Sequence, residues 1–142
     1  MRWHFSLIMA LLLLGGCAGS QYATWKLANA LEEVRSENRT NLMKLEIGMS
    51  KSDVLSIMGA DEKKLWGGIG YSQRISNPYR SEILESNAGP MELLYYYTDL
   101  KKQDGAITDD ELTPLLFKDG KLIGWGWSFL DDSVEKYEIR IR

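Results

Sequence analysis

A single cysteine, Cys17, ends the longest apolar run in the chain and divides it into two parts of different fate. Leu7 to Leu14 is apolar throughout, and Arg2 supplies a short positive segment ahead of it, with His4 beside it. Eight residues are too few to cross a bilayer as a helix, which takes ~20, but they suit the apolar segment of an export signal. With one cysteine in 142 residues, no intramolecular disulfide can brace the fold. The chain beyond Cys17 must therefore be held together by burial and hydrogen bonding.

The run closes in Leu14-Gly15-Gly16-Cys17, which resembles the bacterial lipobox: a leucine, two small residues and the cysteine that accepts a diacylglyceryl group. Two glycines let an extended backbone enter a protease groove, and more than one acyl chain makes attachment stable where a single chain is marginal. The competing readings are an ordinary secretory signal that happens to hold a cysteine and an uncleaved anchor segment. Ala18, rather than an aspartate, follows the cysteine. By resemblance to lipoprotein sorting in Gram-negative bacteria, that implies the periplasmic face of the outer membrane. The expected organisation is a signal peptide over 1–16, a lipidated tether over 17–24 and one domain over 25–142.

Cleavage would remove Arg2 and no acid, leaving 126 residues with sixteen basic and twenty acidic side chains, a net charge of −4. That length suits one domain with a modest core. The mixed, mildly acidic surface argues against nucleic acid. The mature chain would contain no histidine and no free thiol, which closes the Ser-His-Asp, cysteine-nucleophile and His/Cys metal routes. No metal or cofactor is expected beyond the covalent lipid on Cys17.

Helical spacing of Trp25, Ala28, Leu31, Val34 and Leu42, with Leu27 nearby, predicts a helix over Gln21 to Met43 with that stripe facing inward. It packs on its own domain or binds a partner. Gly48 permits a bend, and Ser50 is placed to N-cap a second helix with Asp53 reaching back. Met49 and Val54 form a hydrophobic staple, and Gly59 closes the helix. Asp61 to Asn77, with Trp66-Gly67-Gly68-Ile69-Gly70 inside it, reads as a flexible surface loop rather than a phosphate cradle. Tyr79–Ser86 and Met91–Thr98 read as strands. Leu112–Phe117 and Leu122–Trp127 form a hairpin about Asp119-Gly120. Alternation places Trp125 and Trp127 on one strand face, and the two neighbouring glycines suggest a bulge or a close approach. In the tail, Leu130, Val134, Tyr137 and Ile141 fit a helix, whereas Tyr137, Ile139 and Ile141 alternate like a strand; a short helix that straightens is the preferred reading. The fold class is α+β: two N-terminal helices packed on a three- to four-stranded antiparallel sheet.

Ile47-Gly48-Met49-Ser50, with Val54 and Gly59 behind it, resembles the signature of the SmpA/OmlA lipoproteins, the family that includes BamE. Leu94-Tyr95-Tyr96-Tyr97 and Phe117-Lys118-Asp119-Gly120-Lys121-Leu122 are similar to that family's sheet. The resemblance covers about residues 45 to 125. It implies a non-enzymatic outer-membrane lipoprotein whose partners are envelope proteins, the barrel-assembly machinery among them. Asp61 stands where that family usually has proline, and Asn77-Pro78-Tyr79-Arg80, the acidic connection from Asp99 to Glu111 and Gly124-Trp125-Gly126-Trp127 set this chain in a divergent subgroup.

Asp104-Gly105-Ala106-Ile107-Thr108-Asp109-Asp110-Glu111 copies the second half of an EF-hand loop, but Leu100 and Lys102 stand where carboxylates are required. A solvated acidic loop, with Thr108 capping a turn, fits better. No spacing singles out a carboxylate pair or a Ser–Lys dyad. The aromatic residues Tyr79, Tyr95, Tyr97, Trp125 and Trp127 are the candidate binding residues. Tyr95 and Tyr97 face one side of their strand and Tyr96 the other, so an exposed set would form a binding surface and a covered set a core. Three functions stay open: a protein-interaction module, a ligand- or peptidoglycan-binding lipoprotein, and a hydrolase using acids or a Ser–Lys pair.

Overall fold

A computed structural model describes residues 4–68 and 70–140, the side chains of 4–20 and 71 excepted. The Cys17 thiol, the other side chains of residues 4–20 and Ile141 therefore lie outside the described part. The elements are α1 (His4–Leu42), α2 (Lys51–Met58), β1 (Glu62–Gly68), β2 (Tyr71–Ser76), β3 (Arg80–Leu84), β4 (Met91–Tyr97), β5 (Leu112–Lys118), β6 (Lys121–Trp125) and α3 (Trp127–Tyr137). Strands β1 and β2 form one sheet, and β3-β4-β5-β6 form a second in that spatial order. The chain is α+β. Among the described residues no helix is long and apolar enough to cross a membrane.

Contacts group the chain into two compact units: Met1–Glu32 with Lys64–Arg74, and Glu33–Lys63 with Ile75–Arg142. In the second, each neighbouring strand pair is antiparallel, with Leu94 opposite Leu115 and Leu116 opposite Gly124. Leu94, Tyr96, Leu115, Phe117 and Leu122 meet Leu45, Val54 and Met58 in one buried cluster, bordered by Leu42, Met49, Leu55, Ile57 and Trp125. The opposite sheet face carries Met91, Leu93, Tyr95, Tyr97, Leu112 and Leu116, all buried. Helix α3 packs on β5 and β6, with Leu130 4% exposed.

The Gly48-Met49-Ser50 segment does two jobs. It extends the sheet beyond β6: the Gly48 amide donates to the Leu122 carbonyl (2.8 Å), and the Leu122 amide donates to the Met49 carbonyl (2.9 Å). It also starts α2, where the Ser50 hydroxyl accepts the Asp53 amide (3.2 Å) and donates to the Asp53 carboxylate (2.6 Å). The expected capping pair thus forms, although Asp53 takes the serine hydroxyl rather than a backbone N–H. Gly59 ends the helix at φ +86°, its amide donating to the Leu55 carbonyl (2.9 Å). Its ψ of 148° lies outside the left-handed helical region expected for the cap. The Asp119-Gly120 turn has φ of +51° and +72°, as a type I′ hairpin requires.

Three sequence expectations are corrected. Residues 61–77 are not a flexible loop but the paired strands β1 and β2. On β1 only Leu65 and Gly67 are buried while Glu62, Lys64 and Trp66 are exposed, so a single aliphatic side chain marks the inward face and the alternation is faint. Trp125 and Trp127 do not share a strand face. Gly126, at φ +89°, turns the chain, and Trp127 opens α3. The inward stripe of α1 forms only in part. Val34 is buried and Leu42 borders the apolar cluster as expected, but Trp25 is 61% exposed and Ala28 is exposed, whereas Arg35, Asn38 and Asn41, outside the stripe, are buried.

The tail is helical to Tyr137, reaches a left-handed residue at Glu138 (φ +48°), and then pairs Arg140 with Glu85. Gly124 in β6 and Gly48 ahead of α2 have separate causes. A Cβ at Gly124 would overlap the Phe129 ring, whereas a Cβ at Gly48 would meet nothing within 4 Å. The ladder also slips between Leu116 and Phe117. Gly48→Val therefore carries only the backbone cost of φ +92°, about 1–2 kcal/mol. Gly124→Ala must move an aromatic ring, and the expected loss is larger, roughly 2–3 kcal/mol. Urea melts of the two variants check the order; equal midpoints would refute the contact.

Candidate functional site

Two polar constellations stand out, and neither is on the chain's apolar pattern. The first joins α1 to the end of β4. The Asn38 amide group donates to Asn77 Oδ1 (3.2 Å) and to the Tyr97 carbonyl (2.8 Å). Asn77 Nδ2 donates back to Asn38 Oδ1 (2.8 Å) and to the Met58 carbonyl (3.2 Å). One turn earlier, the Arg35 guanidinium donates to the Tyr97 hydroxyl (2.6 Å) and lies 5.1 Å from the ring centre. Arg39 donates to the Thr98 carbonyl (2.7 Å). Asn38 is fully buried and Arg35 is 4% exposed. In surroundings this dry, an unpaired amide costs about 1–3 kcal/mol, so the partners must be present together.

The second constellation lies on the α3 side of the sheet. The Arg80 guanidinium sits over the Tyr95 ring, 4.2 Å from its centre, and donates to Asp109 Oδ1 (3.0 Å). Its Nε is 3.0 Å from Glu82 Oε1 as an ion pair, yet the N–H is not aligned for a hydrogen bond. Trp127 lies 6.1 Å from Tyr95, ring to ring, and its indole N–H donates to the Leu112 carbonyl (2.8 Å). Burial pushes the Tyr95 hydroxyl above its ordinary range, against the opposing pull of Arg80. Burial works to lower the Arg80 pKa, but the neighbouring Tyr95 hydroxyl, the Asp109 hydrogen bond and the nearby carboxylates outweigh it and raise the value. The result is a guanidinium fixed on an aromatic plate, with Tyr79 (39% exposed) next to it in the chain and Asp109 at the rim.

Of the candidate binding residues, the structure brings Tyr95 and Trp127 together and leaves Tyr79 partly open. Tyr95 and Tyr97 are 4% and 2% exposed, so the sheet offers no open aromatic face there. The reason is that both sheet faces are covered, and the aromatic strand is a core strand. Trp125 packs at the border of the buried cluster. Gly48, Met49, Ser50, Val54 and Gly59 are the structural elements described above, with Val54 fully buried.

In the acidic connection, Glu111 is 1% exposed. Its carboxylate accepts the amides of Lys101 (2.7 Å), Lys102 (3.3 Å) and Thr108 (3.3 Å). Glu111 thus organises the loop, and Thr108 stands at the N-cap of the turn Asp109–Glu111, its backbone N–H donating to the Glu111 carboxylate and its carbonyl accepting the Glu111 amide (3.0 Å). Among the described residues no group of three or more His, Cys, Asp or Glu side chains could hold a metal. An open depression of about 470 Å³ is lined by Glu85, Ser86, Asn87, Gly89, Pro90, Glu138 and Arg140, without an aromatic side chain. Sequence reasoning missed Arg35, Asn38, Arg80 and Glu111. Their only advance signal was position: Arg35 and Asn38 are three apart on one helix face, and Glu111 stands three residues after Thr108 as a capping box does.

Over residues 16–132 the chain matches the family model described as "Protein of unknown function (DUF3192)". The chain belongs to that family. No curated protein matches it, and no solved structure does. The match covers α2, every strand and the first half of α3, so the Asn38–Asn77 pair and the Arg80 cluster both fall inside the DUF3192 region.

Asn38→Ala leaves the Asn77 amide and the Tyr97 carbonyl without their buried partner. The expected loss is about 2–3 kcal/mol, read from urea unfolding, against little change for Glu37→Ala at an exposed position of the same helix. A second expectation concerns alkali. Burial pushes the Tyr96 hydroxyl well above its ordinary range, and that hydroxyl donates to the Gly59 carbonyl (3.2 Å). The fold retains a proton that the unfolded chain releases. Stability from this group is full below about pH 10 and falls as pH rises beyond it. Urea midpoints between pH 8 and 11 should decline more steeply for the wild type than for Tyr96→Phe; parallel curves would refute the assignment.

Proposed function

We propose that this protein is an exported lipoprotein of the outer membrane, held at its periplasmic face by lipid on Cys17, and that it acts as a non-catalytic protein-interaction module supporting outer-membrane assembly or integrity. The observation that carries the reading is Leu14-Gly15-Gly16-Cys17 directly behind the apolar run, with that cysteine alone in the chain. The SmpA/OmlA resemblance supplies the interaction role. It rests on the Gly48-Met49-Ser50 signature and on two N-terminal helices followed by an antiparallel sheet. The absence of histidine after His4 and of any second thiol supports a non-catalytic role.

The surface on which a partner would dock is the Arg80–Tyr95 cluster with Tyr79, Asp109 and Trp127 around it. Arginine and aromatic side chains are the groups that most often anchor protein interfaces, and Arg80 is already held over the Tyr95 ring. A ligand-binding lipoprotein using an aromatic sheet face is the weaker reading, since Tyr95 and Tyr97 are covered and the open depression has no aromatic wall.

Metabolic labelling with palmitate tests the anchor. The wild type should incorporate label, and Cys17→Ala should accumulate as an unlabelled, uncleaved precursor; label persisting in that variant refutes the lipid site. Photo-crosslinking from positions 79 and 109 in intact cells tests the role. Barrel-assembly components among the crosslinked proteins would support the assembly reading. Another defined envelope protein would keep the interaction module and remove that specific role, and small-molecule adducts alone would favour ligand binding.

A further inference from the structure

We infer that the unit containing residues 21–32 and 64–74 seats directly on an anionic lipid surface, with Tyr22, Trp25 and Trp66 in the headgroup layer. The inference rests on the lipid anchor proposed at Cys17 and names the surface that the anchored chain touches. Three observations carry it.

The first is aromatic exposure. Tyr22, Trp25 and Trp66 are 58%, 61% and 58% exposed, and all three belong to this unit. Tyr22 and Trp25 are one helical step of three apart, with their rings 6.0 Å apart on a single face of α1. Tryptophan and tyrosine favour the membrane–water interface because their rings are apolar and their tips are polar. Covering side chains of this size with water is otherwise unrewarded.

The second is position along the chain. Tyr22 and Trp25 lie on the same continuous helix as residue 17, about 7.5 and 12 Å beyond it at 1.5 Å per residue. A helix tilted onto the surface keeps such a pair within reach of the headgroups when residue 17 is held there by its lipid.

The third is charge. From Cys17 to Glu32 and from Lys64 to Arg74, the sequence holds Lys26, Lys64 and Arg74 against Glu32 alone, a net +2. The remainder of the chain after Cys17 carries thirteen basic and nineteen acidic side chains, a net −6. The −4 of the mature protein therefore hides a division that follows the two compact units. Lys64 Nζ also lies 4.2 Å from the centre of the Trp66 ring, which pairs a cation with an interfacial aromatic. Basic side chains near an anionic bilayer each add attraction that fades within a Debye length, so acid-poor, lysine-bearing chain belongs against the lipid.

Lipidated full-length protein, extracted from membranes and reconstituted into phosphatidylcholine/phosphatidylglycerol vesicles, provides the test. A fraction of the lipid carries a nitroxide on its headgroup, which quenches nearby tryptophan emission. Vesicle flotation reports the anchor, and quenching reports the contact. The wild type should float and be quenched. The Trp25→Phe/Trp66→Phe double variant should float equally well but lose quenching roughly twofold or more, because its remaining tryptophans belong to the other unit. Omitting phosphatidylglycerol should also weaken the wild-type quenching. Floating protein whose quenching is the same in wild type and double variant overturns the inference while leaving the anchor intact, as would occur if a second copy or another protein covered these rings. Protein that does not float overturns the anchor reading and this inference with it.

Discussion

The reciprocal amide pair between Asn38 and Asn77 fixes more of this fold than any apolar contact does. Two side chains close four hydrogen bonds and reach a backbone carbonyl at the end of α2 (Met58) and another at the end of β4 (Tyr97). Four parts of the chain thus meet at one point: α1, the last turn of α2, the approach to β3 and the exit of β4. A hydrophobic contact tolerates sliding, whereas an amide pair with both partners buried has one satisfied arrangement. Arg35 on Tyr97 and Arg39 on the Thr98 carbonyl extend the same seam along the helix. Register between helix and sheet is therefore set by polar groups, and the apolar cluster fills the space they define.

The four-stranded sheet has helices on both faces, and this decides the fate of its aromatic residues. Tyr96 faces the side of α2, while Tyr95 faces the side of α3, where Arg80 covers its ring. Neither is free to form an open binding plate. The surface proposed for recognition is smaller: a guanidinium held by an aromatic ring beneath and by carboxylates of Glu82 and Asp109 beside it. Its rim residue Asp109 comes from the acidic connection, whose shape Glu111 holds by accepting three backbone amides. A loop that looks like surplus acid in sequence is in this sense part of the same surface.

The division of charge between the two units gives the proposed anchoring a physical logic. Acyl chains supply attachment but little orientation, since they leave the polypeptide free to rotate about the thioether. Interfacial aromatic side chains and a local positive charge would restrict that rotation, while a markedly acidic unit would be repelled from the same lipid.

Local signals were legible wherever one residue type answers one local need. Gly48 at positive φ, Ser50 as a cap, Asp119-Gly120 as a primed turn and the apolar strands β4 and β5 follow from short-range sterics and hydrogen bonding, and the sequence alone determined them. It also determined the α+β class and the absence of any intramolecular disulfide. Tertiary structure alone decided which face of α1 turns inward. Periodicity selects Trp25, Ala28, Leu31 and Val34, and of these only Val34 is buried; burial also takes Arg35 and Asn38, whose polar groups find partners 39 to 62 residues away. No local rule can see such partners. The same holds for β1 and β2, where one buried aliphatic residue on each strand, Leu65 and Ile75, gives too weak an alternation to read before the strands pair. Gly126 likewise separates Trp125 from Trp127 only through a backbone angle that glycine permits but does not demand. Where a side chain's partner lies nearby in sequence, the sequence names the structure; where the partner is brought by the fold, only the fold reveals it.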